Sequence, residues 1–347
     1  MLYKRIGKVQ DMEKLVISLQ GGPKDKAFHD RDVRRGRSIF MGLNRRIQDR
    51  LAQRSVGLLT MATGLLVPLI ALALLLRAWP ILATKPLGEL LFSTSWHPFQ
   101  GAFGLYPFIM GTLWVTGVAM IIAVPPSLLI AIYLSEYASP RVESLVKPLI
   151  DLLAGIPSVV YGVWGVLTVV PLVQSSLAPA LSGWFGSIPL FRADNPTGYG
   201  IMAGSLVLAV MVFPIIIAVA EEVMCAVPQG LREASLALGA TRWQTIKHVV
   251  LRQAMPGVIA AVVLGFSRAF GETMAVLMVV GNVPQVPHSL FDAAYPLTAL
   301  IANNYGEMMS MPLYDAALLG AALVLLLIVI AFNIVSRLVL MRITQHE

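Results

Sequence analysis

The chain has 347 residues, of which 57% are hydrophobic and 13% charged, and its formal net charge is +7. Soluble domains average roughly 45 to 50% apolar and about 25% charged residues, so this composition excludes an ordinary soluble protein. The positive charge does not indicate nucleic-acid binding, because the excess lies in one N-terminal arm beside a membrane, where attraction to anionic lipid accounts for it.

The first 55 residues form a basic arm that differs in composition from the rest of the chain. The arm carries 14 Lys and Arg against 6 Asp and Glu. A segment this polar buries little apolar surface, so we expect a solvated, partly helical or disordered arm that the chemistry does not require. The domain organisation we predict is this arm at 1–55, a first membrane helix and outer loop at 56–105, and a membrane core at 106–342.

Six predominantly apolar runs follow the arm, and each reaches the roughly 17 to 25 residues that cross a bilayer as a helix. Five of the six contain no charged residue. Only helices and closed barrels satisfy all backbone polar groups in lipid, and barrel strands would give short alternating segments, so we predict an all-α polytopic bundle of six transmembrane helices. The runs are 56–76, 108–134, 152–173, 200–220, 255–280 and 316–336.

The positions of the basic residues predict the orientation, because Lys and Arg are retained on the cytoplasmic side of a membrane. With the arm inside, the connections at 136–149 and 221–254 and the C-terminus are also inside, and 22 of the 26 Lys and Arg lie there. Outside lie only Arg77, Lys85 and Arg192. We therefore predict that both termini are cytoplasmic.

Prolines occur within several predicted spans, among them Pro125, Pro126, Pro157 and Pro214. Neighbouring helices in a bundle can satisfy the backbone groups that proline leaves free, so these residues predict kinks rather than helix ends. Kinks are common in membrane helices of every function. They also let a bundle open alternately to its two sides.

The long inner connection at 221–254 has the features of two short helices. Pro228 suits a first helical turn and Gly239 suits a C-terminal cap with positive φ, which predicts a helix over 229–238. A second helix should begin near Thr241. Apolar positions recur at near-helical spacing and give this hairpin a face to bury, on its own bundle or on a partner. They are Leu231, Ala234, Leu238, Trp243, Ile246 and Val250.

The fifth predicted span carries two ionisable residues, Arg268 and Glu272. Each costs about 2.5 to 3.5 kcal/mol or more at membrane depth, so both should face the bundle interior or a watery path. Four residues apart on a helix, they should lie on one face. Two interpretations stay open: the pair locks helices together, or Arg268 meets an anion in passage while Glu272 holds the arginine or takes it back. A guanidinium suits a tetrahedral oxyanion, but sulfate, molybdate and phosphonate satisfy that chemistry as well as phosphate does.

The sequence lacks the Gly-x-x-x-x-Gly-Lys-Ser/Thr phosphate loop, and its five His residues are scattered without metal-site spacing. We therefore expect no cofactor and no metal on this chain. Any nucleotide hydrolysis is expected elsewhere.

Within the inner connection, Glu233-Ala234-Ser235, then Gly239 after three residues and Val249-Val250-Leu251 after nine more, resemble the EAA loop of ABC importer permeases. In that family the short helix docks on a separate ATPase subunit and transmits its closure to the membrane helices. The resemblance implies that Glu233, Ala234, Ser235 and Gly239 couple this chain to an ATPase, and that docking there moves the fifth span. Ser235 replaces the usual second alanine, and Arg252 stands where proline is usual.

Segments 153–162, 268–276 and 297–307 resemble phosphate-specific ABC importer permeases, most closely their C-type subunit, within a similarity over roughly 106–342. The resemblance implies a type I, MetI-like permease fold in a bacterial cytoplasmic (inner) membrane and a role for Arg268 and Glu272 in phosphate passage. It implies as partners an A-type permease subunit, two ATPase subunits that hold ATP and Mg, and an extracytoplasmic phosphate-binding protein. The chain itself would not be an enzyme. Asn303-Asn304-Tyr305 departs from the family, which is partly acidic there.

Three other functions remain open. The closest is a permease of the same type for molybdate, sulfate or phosphonate. An ion-coupled transporter or channel would need coupling acids or a pore lining, and Glu272 is the only acid within the predicted spans. A membrane scaffold or sensor would move nothing.

Overall fold

The computed structural model describes residues 23–307 and 313–344. Six helices in this part of the chain are long and apolar enough to cross a membrane, which confirms the predicted all-α bundle of six spans. The spans are α1 from Arg50, α3, α5, α6, α8 and α11 up to Arg342. The elements are α1 Pro23–Thr84, α2 Leu87–Phe92, β1 Trp96–His97, β2 Ala102–Phe103, α3 Tyr106–Tyr137, α4 Pro140–Gly155, α5 Ser158–Phe185, α6 Ile201–Cys225, α7 Gln229–Ala237, α8 Arg242–Phe270, α9 Met274–Val279, α10 Leu297–Asn304 and α11 Tyr314–Thr344.

Helix α1 belongs to two compact units, one ending at Ile70 and the other beginning at Ala71. From residue 50 to residue 70 its side chains are exposed, although most of them are apolar. Such a helix is stable where lipid solvates it. In the second unit, Ile81 is fully buried in a cluster with Ala317 and Leu318 of α11. The first 22 residues of the predicted arm lie outside the described residues, and the domain boundaries at 55 and 105 stay a prediction.

Helix α6 is the centre of the second unit, with 72% of its most apolar window buried. It packs most extensively on α3 and next on α8. Lipid tails are as apolar as leucine, so helices associate in a membrane through close packing of small residues and interhelical hydrogen bonds. Both occur here: Ala203 and Gly204 lie in the core of the bundle, and the Ser205 hydroxyl donates to the Val115 carbonyl of α3 at 3.0 Å.

Three of the spans contain π turns, where the helix widens by one residue per turn. They lie at Tyr133–Tyr137 in α3, at Gly165–Val169 and Val173–Leu177 in α5, and at Ile246–Val250 in α8. Such turns are rare and often lie at functional sites. Two of these four lie where α3 and α8 approach the predicted coupling loop.

The third span begins later than predicted, because the helix breaks before it. Helix α4 ends at Gly155, and α5 begins at Ser158. Ile156 adopts φ −68° and ψ 130°, the extended region that a residue before proline prefers, and the Tyr161 hydroxyl spans the break to the Leu153 carbonyl at 2.8 Å. Pro157 therefore lies at a break between two helices and does not kink a continuous span as predicted.

The other predicted kink residues lie inside helices. Pro125 and Pro126 are within α3, and Pro214 is within α6. Proline removes a backbone donor at each position, so the carbonyl one turn earlier loses its helical partner. Neither span ends at its prolines, as predicted for a membrane bundle.

Candidate functional site

The fifth span ends ten residues earlier than predicted, directly after Arg268. Helix α8 stops at Phe270, Gly271 caps it, and α9 begins at Met274. Glu272 lies in this break. One of its carboxylate oxygens accepts from the Thr273 and Ala275 backbone amides at 3.1 and 3.3 Å, as an N-terminal cap does. Its carbonyl accepts from the Thr298 hydroxyl of α10 at 3.0 Å, so the break is fixed from outside as well.

Arg268 and Glu272 line different cavities and form no ion pair within the described residues, while their predicted placement on one helix face stays a prediction. The i, i+4 spacing brings two side chains together only in an uninterrupted helix, and this helix is interrupted at Gly271. Among residues 23–307 and 313–344, Arg268 makes neither a hydrogen bond nor an ion pair. Glu272 bonds its own backbone neighbourhood instead. The structure therefore favours an open arginine over a locked pair.

Arg268 lines a cavity of about 500 Å³ between α4, α6 and α8. Besides Arg268, the polar lining residues are Asp151 of α4 and Ser267 of α8, and the rest of the wall is apolar, including Pro214. The last turn of a helix favours a cation because its free carbonyls carry partial negative charge. Arg268 occupies that turn, which lowers the cost of leaving its charge unpaired.

A much smaller cavity, about 10 Å³, lies beside Glu272. That is about the volume one water needs. Its polar lining consists of Thr112 and Thr116 of α3, Thr298 and Glu272 itself. The Thr112 hydroxyl also accepts from the Leu297 amide at 2.9 Å, which joins α3 to the start of α10. Helix α3 thus passes directly beside the break that holds Glu272.

Helix α4, which carries Asp151 to the cavity, is joined to α6 by one ion pair. The Lys147 ammonium lies 2.8 Å from Glu143 in the same helix and 3.1 Å from Glu221 of α6. The hydrogen bond to Glu143 is the largest influence raising the pKa of Lys147, with Glu221 adding to it and burial opposing it. The ammonium therefore stays charged at neutral pH and holds α4 in place.

The predicted coupling loop folds as two helices, close to the predicted limits. Helix α7 runs from Gln229 to Ala237, and Gly239 adopts φ +84°, the positive value expected of its cap. Thr241 caps α8 by accepting from the Gln244 amide at 3.3 Å, while the Gln244 side chain accepts from the Thr241 amide at 2.8 Å. This reciprocal capping box fixes where the second helix begins.

The hairpin buries only two of the six residues of its predicted apolar face. Ile246 and Val250 are buried against α3 and α6. Leu238 is 89% exposed and Trp243 is 52% exposed, however, and Leu231 and Leu236 are also exposed. Glu233, Ala234 and Gly239 are exposed on the same helix and its cap, while Ser235 is half-buried and bonds the Thr245 hydroxyl at 2.9 Å. The exposed part is a surface on which a partner can dock.

Three residues of these sites, Asp151, Glu136 and Arg232, are not indicated by any sequence pattern. Asp151 lies one residue outside the predicted third span, and Glu136 is the first residue of a predicted inner connection. Both stand on helices that continue further than the apolar runs, α4 and the π turn of α3. A signal for the break after Arg268 was present in Gly271, which suits a helix end, followed by Glu272 and Thr273.

Residues 127–345 match the family described as the binding-protein-dependent transport system inner membrane component. The phosphate transport system permease protein PstC of Pasteurella multocida is 37% identical over 308 residues, 88% of this chain and 95% of the relative. PstC of Haemophilus influenzae is 35% identical over 300 residues, 86% and 94% of the two chains. A chain of the MetNI methionine ABC transporter in an inward-facing conformation covers 67% of this chain and 93% of its own at 20% identity, with a TM-score of 0.50. That last likeness concerns the fold alone, and it agrees with the predicted MetI-like permease fold.

Proposed function

The chain belongs to the family of inner membrane components of binding-protein-dependent transport systems, and from that premise we propose that it is the permease subunit of an ATP-driven importer of inorganic phosphate. The observation that carries the substrate is the 37% identity, over 95% of its length, of a relative named as a phosphate transport permease. The chain transports and does not catalyse. ATP, with Mg, is hydrolysed at a separate ATPase.

The proposed assembly places both termini in the cytoplasm of a bacterium and the six spans in its inner membrane. A second, A-type permease subunit completes the path, two ATPase subunits lie below, and a phosphate-binding protein delivers the anion from outside. The concentration of Lys and Arg on one side of the spans supports this orientation. In it, α7 and the C-terminal ends of α3 and α6 are cytoplasmic.

Arg268 is the residue that we propose contacts phosphate. Its guanidinium is unpaired among the described residues, lines a cavity, and presents several donors in a plane that fits two oxygens of a tetrahedral anion. A guanidinium neutralised by a carboxylate would attract an anion only weakly. Glu272 acts on Arg268 through the backbone, because its capping of α9 fixes the break at which the arginine's helix ends.

The exposed part of the coupling hairpin is the proposed ATPase docking surface. Glu233, Ala234 and Gly239 lie on it, and Leu238 and Trp243 supply apolar area that has no cover within the described chain. Tryptophan is enriched among the residues that anchor protein interfaces, and an exposed apolar patch around it is typical of an interaction site. Closure of the ATPase would then pull on α7.

Uptake by the complete complex in sealed vesicles tests this function. Radiolabelled phosphate should accumulate inside only when ATP is supplied on the cytoplasmic side, and excess unlabelled sulfate, molybdate or phosphonate should not compete. Molybdate or sulfate accumulation in place of phosphate would keep the permease and refute the substrate. Phosphate accumulation by a complex without its ATPase would favour an ion-coupled transporter, and no accumulation of any anion would favour a scaffold.

A further inference from the structure

We propose that the ion pair between Arg232 and Glu136 is the joint through which the coupling helix moves the second span, α3, so that α3 transmits ATPase closure to the break at Glu272. The proposal rests on the proposed function, because it assumes that an ATPase acts on α7. It differs from the sequence-based expectation, in which the hairpin moves the fifth span to which it is covalently joined.

The pair is short, two-pronged and largely withdrawn from solvent. The Arg232 Nη2 lies 2.7 Å from a Glu136 carboxylate oxygen, and its Nε lies 3.1 Å from the same oxygen. The arginine side chain is 14% exposed and the glutamate 8%. Such geometry holds two elements in one relative orientation, which a single flexible contact does not. Solvent and salt also weaken it less than a surface pair.

The same guanidinium fixes the end of α6. Nη2 donates to the Met224 carbonyl at 2.8 Å, and Nη1 donates to the Val227 carbonyl. The last carbonyls of a helix have no partner within it, and an arginine is well suited to satisfy them. Arg232 of α7 therefore binds the cytoplasmic ends of both α3 and α6. These are the two helices that pack most extensively on each other.

The first turn of α8 holds the same end of α3. Arg242 donates to the Glu136 carbonyl, and its guanidinium lies over the Tyr137 ring at 4.8 Å. Both arms of the hairpin thus contact the π turn Tyr133–Tyr137.

Helix α3 reaches from this joint to the anion-handling region. Thr112 and Thr116, near its other end, line the small cavity beside Glu272. The distance along the helix from Thr116 to Glu136 is about 30 Å at 1.5 Å per residue. A displacement at Glu136 can therefore reach the break along one helix, whose hydrogen-bond ladder is altered at the π turn and at Pro125 and Pro126. Glu233, on the proposed docking surface, borders the same groove as the pair, so a docked partner sits beside the joint.

The test is a double-mutant cycle in the complete, reconstituted complex, with Glu136→Gln, Arg232→Gln and the double variant. Three quantities are measured: ATPase retained on purification, ATP hydrolysed, and phosphate imported per ATP. We expect each single variant to retain the ATPase and at least half of the hydrolysis while phosphate imported per ATP falls at least fivefold. The double variant should be no worse than the worse single one, because the two residues act through each other.

Glu89→Gln is the matched control, since it removes a carboxylate from an ion pair with Lys85 that lies apart from α7 and whose members are 49% and 30% exposed. Its import per ATP should stay within twofold of wild type. Glu136→Asp keeps the charge and shortens the reach, and should give an intermediate ratio if a neutral variant fails to insert.

An unchanged ratio in Glu136→Gln overturns the proposal, as do single effects that multiply in the double variant. Loss of the ATPase from the single variants also overturns it, because the pair would then shape docking and not transmission. Failure of the wild-type complex to import phosphate refutes the proposed function instead.

Discussion

A substitution at Gly239 should cost free energy through the backbone conformation of this residue. Its φ is +84°, and within the described chain a Cβ placed there would meet no heavy atom closer than 4 Å. The Cβ of a valine at this position therefore has room, yet valine would have to adopt a left-handed conformation that costs a non-glycine residue about 1 to 2 kcal/mol. Asparagine tolerates that conformation better, so Gly239→Asn should cost less than Gly239→Val.

The consequence for coupling follows from how weakly α7 is held. Every residue of α7 is at least partly exposed, so little packing opposes a change in its cap. A cost of about 1 to 2 kcal/mol corresponds to a factor of roughly 5 to 30 in an equilibrium constant. We therefore expect phosphate imported per ATP to fall by up to that factor in Gly239→Val and by less in Gly239→Asn, with normal membrane insertion.

Gly101→Val is the control for strain as such. Gly101 caps a short turn between β1 and β2 at φ +72°, and a Cβ on it would likewise have no heavy atom of the described residues within 4 Å. It also lies far from α7 in sequence. Both valine variants should lower the melting temperature of the complex, but only the one at Gly239 should lower import per ATP. Equal coupling in the two variants would refute the capping argument.

Two further predictions concern the Arg268 cavity. Arg268→Lys keeps the charge but loses the planar guanidinium, and with it one charge-assisted hydrogen bond of about 1.5 to 3 kcal/mol, so kcat/KM for phosphate uptake should fall roughly 10- to 150-fold. In the control Arg192→Lys, which alters an exposed ion pair with Asp194, kcat/KM should not change. Wild-type kcat/KM in Arg268→Lys would contradict contact with the anion. Asp151→Asn removes a negative charge from the same cavity, and since such a partly exposed charge contributes up to about 1 kcal/mol, the KM for phosphate should fall as much as fivefold. A KM that is unchanged or higher would show that Asp151 does not face the anion.

Much of the fold could be predicted because membrane helices are recognised by their length and composition. Apolar runs predict the six spans, and Pro228 and Gly239 predict the helix at 229–238. The structure has all of them, with the bounds of α3, α6 and α7 within a few residues of the prediction. The ends of the third and fifth spans were wrong. Hydropathy does not register a break whose residues are themselves apolar or small, such as Ile156-Pro157 and Gly271.

The contacts between distant parts of the chain could not be predicted. Arg232 and Glu136 are 96 residues apart, and Asp151 and Arg268 are more than 100 apart. Helical periodicity places a side chain on a face of its own helix but does not say which helix that face meets. The four-residue spacing of Arg268 and Glu272 suggests an ion pair, but the Glu272 carboxylate accepts from the free amides at the start of α9 instead.

The open state of Arg268 is itself an argument about function. A closed pair with Glu272 would have lowered the cost of keeping a charged arginine within a membrane helix. The structure does not contain this pair. The carbonyl end of α8 stabilises the charge of Arg268 only in part, by about 0.3 to 1 kcal/mol. Asp151 shares the cavity but forms no ion pair with Arg268 among the described residues. A cation left unneutralised at such cost is what a transient anion site requires, because an anion that replaces a bound carboxylate must first displace it. The break at Gly271 keeps the carboxylate of Glu272 bonded to backbone amides and away from Arg268. Helix α3 lines the other side of that break, so a movement of α3 would change the position of this carboxylate.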